Sequence, residues 1–562
     1  RDVGSLDGQM CLSSGYYDFV KNELLSQIRN SHMRVIKFDG FVPRDYCYAT
    51  NHNHKPGKTY DAEMLAFMRL VDEIRKQYPF FRTAIYSGAQ DSLWIKYTEL
   101  IHTFEDHGGL TPGELAPTRA KANYMHDREM FNHGVWQHLL RNQMEGSAII
   151  VNKTAEWREQ LISNMAQSTR RQVSVCLSEF TADERNWIRD CMNWSRRNAK
   201  YLEQIKTFLP NPAVIEPWRF GAIESMGKRL GVDILQSNSL EGYAHILDNE
   251  GYIFIFNPTF YGAEYSIPIS KDIGFNSEAN GLSFQTVYPY LENIRTNVKF
   301  GDTVTGYLPA EKSVLIKVSK QPIPTLAADC RYVASETIWD SVNMSLRAAP
   351  TTTGGMVKTK LILPTGTAFE ELTVNGKAIP AVKDGSYEIT LQAPIRGSVA
   401  SKKDVKIANG KKIATANVSV SGDLLEPSLM LFLYRFHQGD GRVAKAAPGE
   451  LDYSLLVDGK PIQGAYGETL EKDWETEKNA GWWVFKLPVD KKKFTVTVET
   501  NEKIRPVLLL AAKQDNKEAV ITGKYARGVS KALLTSEDKE VFFHQSFPDE
   551  LEYFLIIDLV KE

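Results

Sequence analysis

The chain has little cysteine, no long basic segment and no apolar run long enough to cross a membrane. Its five cysteines among 562 residues are widely spaced and form no Cys-x-x-Cys pair, so neither a zinc site nor a disulfide framework is indicated. The formal net charge is −2, and without a basic patch nucleic acid is not an expected partner. The densest apolar run, residues 429–434, is far shorter than a membrane-spanning helix.

A secretory signal is also lacking, and the first residue is Arg1 rather than methionine. We therefore expect the chain to be a mature or truncated piece of a longer protein. We expect a secreted bacterial protein, periplasmic or extracellular, although the cysteine usage by itself does not decide the compartment.

Aromatic residues are plentiful, with 10 Trp and 24 Tyr. This content suits a protein that handles sugars, and it suits packed β-sandwiches equally well.

Residues 1–231 alternate between strand and helix patterns, which predicts an α/β domain with a parallel sheet. Helices are predicted at 16–30, 60–77, 120–143 and 182–202, and strands near residues 35, 83, 102, 149 and 174. Five strands are fewer than the eight of a closed (β/α)8-type barrel. A barrel would therefore take its first strands from a segment upstream of Arg1 or from a second chain. An open doubly wound sheet is the alternative, but no glycine-rich phosphate loop follows any strand.

From residue 232 onward the pattern changes to alternating strands joined by tight turns, which predicts antiparallel β-sandwich domains. A hairpin is predicted at 243–256, and turns at Asn375-Gly376 and Asp458-Gly459. We predict domains at 232–324, 325–424 and 425–562 after the barrel domain at 1–231. The last is an accessory domain in which Trp482 and Trp483 are candidates for carbohydrate binding.

Two acids end two of the predicted parallel strands. Residues 33–39 form a strand pattern that ends on Asp39, and the strand near residue 102 ends on Glu105-Asp106. The carboxyl ends of parallel strands in a barrel surround a concave mouth, and glycoside hydrolysis needs a pair of carboxylates. Taken singly, Asp39 is more often a solvated strand end or the cap of the next turn. Glu105, beside Asp106, is equally open to interpretation as a solvated loop acid.

The expected roles follow from this chemistry. Asp39 attacks as an ionised nucleophile, and Lys37 favours that ionisation because residues two apart on a strand point to the same side. Asp106 donates a proton to the leaving oxygen, and burial against Phe104 or Trp94 would raise its pKa.

These stretches resemble a known family. Lys37-Phe38-Asp39 is similar to the Lys-Trp-Asp nucleophile strand of glycoside hydrolase family 36, the α-galactosidase-type enzymes, in the clan that also contains families 27 and 31. The turn at 87–91 resembles that family's glycine-rich sugar-contact turn, and Glu105-Asp106 stands in place of its Ser-Asp acid/base motif. The resemblance covers about residues 10–320. It implies a barrel in which the strand of Asp39 is the fourth and that of Asp106 the sixth.

Three positions depart from the family pattern. Phe41 stands where the family has Asn, Tyr86 where it has Cys, and Gln90 and Asp91 lie near the place of a missing Arg. The resemblance assigns those positions to contacts with the sugar. A different or decorated sugar is therefore one expectation, and loss of activity is another.

Together these observations predict a retaining α-glycosidase, α-galactosidase-like, that removes a terminal α-linked sugar from an oligo- or polysaccharide. Asp39 and Asp106 are the predicted catalytic residues. The predicted substrate-binding residues are Lys37, Tyr86, Ser87, Gly88, Gln90, Asp91, Trp94 and His107. We expect neither a metal ion nor an organic cofactor. His52 and His54, two residues apart, could ligate a metal, but without a nearby carboxylate pattern a mobile or substrate-facing loop is the preferred interpretation.

Two alternatives remain open at this point. One is an inactive carbohydrate-binding protein on a hydrolase scaffold, which would keep its affinity for glycan when the acids are removed. The other is a structural or partner-binding protein whose β domains mediate assembly.

Overall fold

In a computed structural model the chain is mostly β-sheet with few helices. The structure describes residues 10–38, 47–86, 94–97, 100–106, 144–150, 157–167, 170–208, 240–257, 262–309, 312–321, 329–334, 343–361, 368–382, 385–436, 443–444, 453–462, 465–472, 479–501, 505–526, 547 and 551–558. No helix of these residues is both long enough and apolar enough to span a bilayer.

The described residues divide into two compact units. The first unit draws on Arg1–Asp106, His133–Ala148 and Ser168–Val173. Its helices are α1 (Tyr16–Ser31), α2 (Tyr60–Gln77) and α3 (Trp94–Tyr97). Its sheet has five strands in chain order: β1 (Val35–Phe38), β2 (Arg82–Tyr86), β3 (Leu100–Asp106), β4 (Met144–Ile150) and β5 (Arg170–Val175).

The predicted strands near residues 35, 83, 102, 149 and 174 are all present, and α1 and α2 confirm two of the predicted helices. Apolar residues at helical spacing form the inner face of α2, where Phe67, Leu70 and Val71 are each 0% exposed. They pack with Leu24 and Ile28 of α1 in one hydrophobic core. The predicted helix at 120–143 lies outside the described residues.

The second unit begins with helices and continues as β-strands. Its helices are α4 (Trp157–Gln167), α5 (Ala182–Arg197) and α6 (Ala199–Leu202). Thr181 and Glu184 form the capping box of α5, in which each side chain accepts a hydrogen bond from the other residue's N–H. The first strands are β6 (Ile205–Phe208), β7 (Glu241–Leu247), β8 (Glu250–Phe256), β9 (Ala263–Pro268), β10 (Leu282–Tyr288), β11 (Glu292–Val298), β12 (Thr303–Leu308) and β13 (Ser313–Ser319).

These strands form two layers around one core. The larger sheet has the order β11-β10-β13-β8-β7-β6 and the smaller one pairs β12 with β9, all antiparallel. Ile253, Ile316 and Ile267 meet in the core between them and are each 0% exposed. The predicted hairpin is present, because Asp248 and Asn249 adopt the left-handed conformation that a tight turn needs.

The C-terminal strands form two further pairs of sheets. The strands are β14 (Cys330–Ala334), β15 (Asn343–Pro350), β16 (Met356–Leu361), β17 (Phe369–Val374), β18 (Lys377–Ala378), β19 (Tyr387–Gln392), β20 (Ser398–Ala408), β21 (Lys411–Ser421), β22 (Leu424–Phe436), β23 (Val443–Ala444), β24 (Tyr453–Val457), β25 (Lys460–Pro461), β26 (Ala465–Lys472), β27 (Asn479–Pro488), β28 (Lys493–Asn501), β29 (Arg505–Gln514), β30 (Ala519–Tyr525) and β31 (Leu551–Asp558).

Their pairing does not follow the predicted division at residue 424. One sheet has the order β14-β15-β30-β17-β18 beside the pair β16-β19, so β30 from the far end of the chain lies at its centre. A second sheet, β20-β21-β28-β24-β25, also joins strands from both sides of residue 424. It packs on the sheet β26-β27-β22-β29-β31, in which β23 pairs with β22. The two predicted sandwiches are therefore interleaved, because strand pairing is set by contacts that local sequence patterns do not encode.

A buried carboxylate joins α4 to the first sandwich of the second unit. Glu159 accepts hydrogen bonds from the hydroxyls of Ser313 on β13 and Tyr288 on β10. Burial raises the pKa of Glu159 above its ordinary value of 4.5, while nearby Lys312 and the two hydroxyls oppose that rise. The group therefore holds its proton more tightly in the folded chain than in the unfolded chain.

This asymmetry predicts how stability depends on pH. The contribution of Glu159 is fully present below about pH 4.5 and is lost as the pH rises through the folded-state pKa. We expect the unfolding free energy of the wild type, relative to Glu159→Gln, to fall over that interval in urea titrations at successive pH values. Glu264→Gln, which changes an exposed carboxylate on β9, is the control. The prediction would be contradicted if the unfolding free energy of the wild type, relative to Glu159→Gln, increased with pH.

The interleaved strands predict where the chain can be cut. A fragment of residues 325–424 lacks β30, which separates β15 from β17, and it lacks β28. We expect it to show no cooperative thermal transition in near-UV circular dichroism, whereas residues 325–562 should unfold cooperatively. A sharp transition in the shorter fragment would show that the sheet can close without β30.

Candidate functional site

The carboxyl ends of β1, β2 and β3 lie at one edge of the parallel sheet in the first unit. Lys37 on β1 pairs with Ala84 on β2, and Tyr86 at the end of β2 pairs with His102 on β3. Both pairings are parallel, and β3 pairs in parallel with β4 as well. Asp39 follows β1 directly, and Asp106 is the last residue of β3. β1 and β3 therefore end at the same edge of the sheet, with β2 between them, and Asp39 itself lies outside the described residues.

The two faces of β1 differ in exposure. Ile36 and Phe38 pack against the core of α1 and α2, and the rings of Phe38 and Phe67 meet edge to face with centroids 5.0 Å apart. On the other face Lys37 is exposed, and the side chain of Val35 is 49% exposed. The sequence predicted a buried strand here, but among the described residues β1 pairs only with β2, and only its helix-facing side is covered by them. Lys37 thus lies on the face away from the helices.

The register also gives the offset between the two strand ends. Phe38 pairs with Ile85, one residue before Tyr86, whereas Asp106 lies four residues beyond His102. Four residues of strand correspond to roughly 13 Å along the strand, and two strand spacings to roughly 10 Å across it. This backbone separation exceeds the about 5–5.5 Å between the two carboxyl groups of a retaining glycosidase. The tilt and stagger of a closed barrel would shorten it.

Some of the remaining predicted site residues lie in described strands and helices, and others lie outside the described residues. The backbones of Tyr86, Trp94 and Asp106 lie in β2, α3 and β3. Trp482 and Trp483 likewise have their backbones in β27. The predicted positions outside the described residues are Asp39, Ser87, Gly88, Gln90, Asp91 and His107.

A cavity of about 310 Å³ lies in the second unit, among the sandwich strands. Its walls include Tyr290 and Tyr307. However, the Arg331 guanidinium lies 4.9 Å from the ring centre of Tyr290, and that of Arg396 lies 3.5 Å from that of Tyr307. Arg396 also pairs with the buried carboxylate of Glu552 at 3.3 Å. One face of each ring is therefore already covered by a guanidinium. These contacts favour a packing role for the two rings over stacking on a sugar.

A second cluster in the first unit was missed by the sequence reasoning. Cys11, Cys47, His52 and His54 bring their ligating atoms within 4.8 Å of one another. Burial, with smaller contributions from nearby Cys47 and Glu63, raises the pKa of the Cys11 thiol to about 12. The spacing Cys47-x4-His52-x-His54 was the available signal, but Cys11 lies far upstream and completes no recognised motif.

The packing behind β1 predicts a local stability effect. Phe67→Ala removes a ring that is 0% exposed and touches Phe38, so we expect the free energy of unfolding to fall by about 3–5 kcal/mol. Hydrogen exchange of the α2 amides measures this change in free energy. Leu65→Ala on the same helix is the control, because Leu65 is 66% exposed, and equal effects of both changes would contradict the proposed packing.

No family model matches the chain, and no curated protein matches it in sequence. Among solved structures, the chain is similar to a family 36 α-galactosidase from Geobacillus stearothermophilus, at 9% identity and a TM-score of 0.36, over 55% of this chain and 39% of that one. It is also similar to an α-amylase from Geobacillus thermoleovorans, at 9% identity and a TM-score of 0.31, over 55% of this chain and 66% of that one. A maltogenic α-amylase from Thermotoga neapolitana matches at 7% identity and a TM-score of 0.33, over 55% of this chain and 67% of that one. These neighbours are glycoside hydrolases, matched at low identity and with partial coverage; the chain spans well under half the length of the α-galactosidase.

Proposed function

We propose that the chain is a retaining α-glycosidase that removes a terminal α-linked sugar from an oligo- or polysaccharide. The observation that carries the proposal is the parallel pairing of β1, β2 and β3 in chain order, with acids at the ends of β1 and β3. Two carboxylates at one sheet edge are the groups that double displacement at an anomeric carbon requires.

The strand order also supports a barrel over a doubly wound sheet. Right-handed crossovers between parallel strands in simple chain order place every helix on the same face. The opposite face of the sheet must then be buried in another way, and closing the sheet into a barrel buries it in the barrel interior. A doubly wound sheet reverses its order partway and has helices on both faces, and the order β1-β2-β3-β4-β5 has no such reversal.

The exposed face and edge of β1 support the rest of this architecture. An unpaired sheet edge is a site at which further strands add. We propose that strands from an upstream segment or from a second chain pair with β1 and complete the barrel, so that Lys37 points into its mouth.

In this mechanism Asp39 attacks the anomeric carbon and forms a covalent glycosyl-enzyme, while Asp106 protonates the leaving oxygen. Asp106 then takes a proton from the water that releases the sugar. Lys37 favours the ionised form of Asp39. Tyr86, Trp94, His107 and the turn that contains Ser87, Gly88, Gln90 and Asp91 orient the sugar hydroxyls.

The proposal predicts that the protein hydrolyses a nitrophenyl α-glycoside and that the released sugar keeps its anomeric configuration. NMR of the reaction mixture measures that configuration. Asp39→Asn and Asp106→Asn should each lower kcat/KM by at least about 100-fold, because each removes a group that acts in the transition state. Asp404→Asn is the matched control, because Asp404 is an exposed strand carboxylate on β20.

Other outcomes would replace the proposal with a specific alternative. If Glu105→Gln abolishes turnover and Asp106→Asn does not, Glu105 is the general acid. Inversion at the anomeric carbon would mean that Asp39 acts as a general base on water instead of as a nucleophile. Glycan binding that survives both aspartate changes in a chain without turnover would identify a carbohydrate-binding protein.

A further inference from the structure

Two thiols and two imidazoles converge before α1 and α2 in the first unit. Cys11 Sγ lies 3.3 Å from His54 Nε2, and Cys47 Sγ lies 3.1 Å from His52 Nδ1. Cys11, Cys47 and His52 are buried and His54 is half-buried. The four come from separate stretches, residue 11 and residues 47–54, so the chain fold brings them together.

The dimensions of this cluster suit one tetrahedral metal ion. Zinc bonds of about 2.3 Å to sulfur and about 2.0–2.1 Å to nitrogen place a sulfur and a nitrogen ligand roughly 3.5 Å apart in a tetrahedron. The two S···N separations are a few tenths of an ångström shorter, which side-chain rotation can adjust. All four ligating atoms lie within 4.8 Å of one another, so the cluster has room for one ion.

The imidazole of His54 is oriented as that of a metal ligand usually is. His54 Nδ1 lies 2.9 Å from the carbonyl oxygen of Lys55, and as the donor of that hydrogen bond it leaves Nε2 with its lone pair toward Cys11. A second hydrogen bond of this kind fixes the tautomer of metal-bound histidine. His52 turns Nδ1 toward Cys47, while its Nε2 is buried and has no hydrogen-bond partner among the described residues.

The backbone on both sides of the cluster is held in place. The carbonyl of Cys11 accepts hydrogen bonds from the N–H and the hydroxyl of Ser14, and the N–H of Leu12 donates to buried Glu63 on α2. The N–H of Cys47 donates to Thr59 Oγ1 at 3.2 Å. Thr59 is the N-cap residue of α2, but its hydroxyl makes no cap hydrogen bond and instead accepts this hydrogen bond from the cluster loop. The ligands are thus anchored to the starts of both helices.

We propose that Cys11, Cys47, His52 and His54 bind one Zn²⁺. Mixed thiolate and imidazole ligands in a tetrahedral arrangement favour zinc. Four protein ligands leave no position for water or substrate, so the ion is structural. It ties the loop of residues 47–58 to the segment before α1. This inference departs from the expectation of no metal, and it does not depend on the proposed glycosidase activity.

The experiment uses the full chain produced in zinc-supplemented medium. We expect about one zinc per chain by elemental mass spectrometry. Chelation should lower the Tm, and added Zn²⁺ should restore it while Mg²⁺ and Ca²⁺ do not, because hard cations prefer oxygen ligands. Replacement by Co²⁺ should give the intense visible bands of a tetrahedral site and thiolate-to-cobalt charge-transfer bands.

Single substitutions test the ligand set. Cys11→Ser, Cys47→Ser, His52→Asn and His54→Asn should each weaken zinc binding by more than about 100-fold, because even residues outside the ligand set cost 10–100-fold when changed. Cys176→Ser and His32→Asn are the matched controls, since both residues are exposed and lie outside the cluster. Both controls should keep the full zinc content.

Three results would overturn the proposal. The wild-type chain could hold no zinc and gain no stability from it, or the Cys11→Ser/Cys47→Ser double variant could retain zinc at the wild-type level. Mass spectrometry could also find Cys11 and Cys47 joined in a disulfide in the native protein. If the ligand variants fail to fold, the cobalt spectrum of the wild type decides, because bands without thiolate character exclude both cysteines.

Discussion

The parallel pairing of β1, β2 and β3 in chain order is the constraint on which the first unit depends. On one face of the sheet, α2, which connects β1 to β2, shares a core with α1, Ile36 and Phe38. The same pairing leaves Lys37 on the opposite face and aligns the ends of β1 and β3 at one edge. Packing on one side of the sheet therefore determines which side chains of β1 are left exposed on the other.

The Cys/His cluster complements that arrangement. Residues 47–59, the described part of the connection from β1 to α2, contain no helix or long strand, so this stretch needs other contacts to hold it. Cys47, His52 and His54 lie in this connection, and Cys11 lies beside α1. A metal ion at the cluster would hold the connection against both helices, in the loop that follows the proposed nucleophile.

The second unit relies on long-range strand pairing and on polar contacts between α4 and its first sandwich. β30 joins β15 to β17, and β28 joins β21 to β24, so residues far apart in the chain share a sheet. Glu159 adds a buried carboxylate contact from α4 to β10 and β13. Burying a charged group is costly unless it is hydrogen-bonded or protonated, which explains why its partners are two hydroxyls.

The sequence by itself determined the local elements, because each depends on residues close together in the chain. The helical spacing of Phe67, Leu70 and Val71, the capping box at Thr181 and the turn at Asp248-Asn249 were readable in this way. Only the tertiary structure decided that β30 crosses the division at residue 424 and that Cys11 meets Cys47, His52 and His54. The physical reason is that these contacts join distant segments, and their free energy comes from burial and pairing that no local pattern specifies.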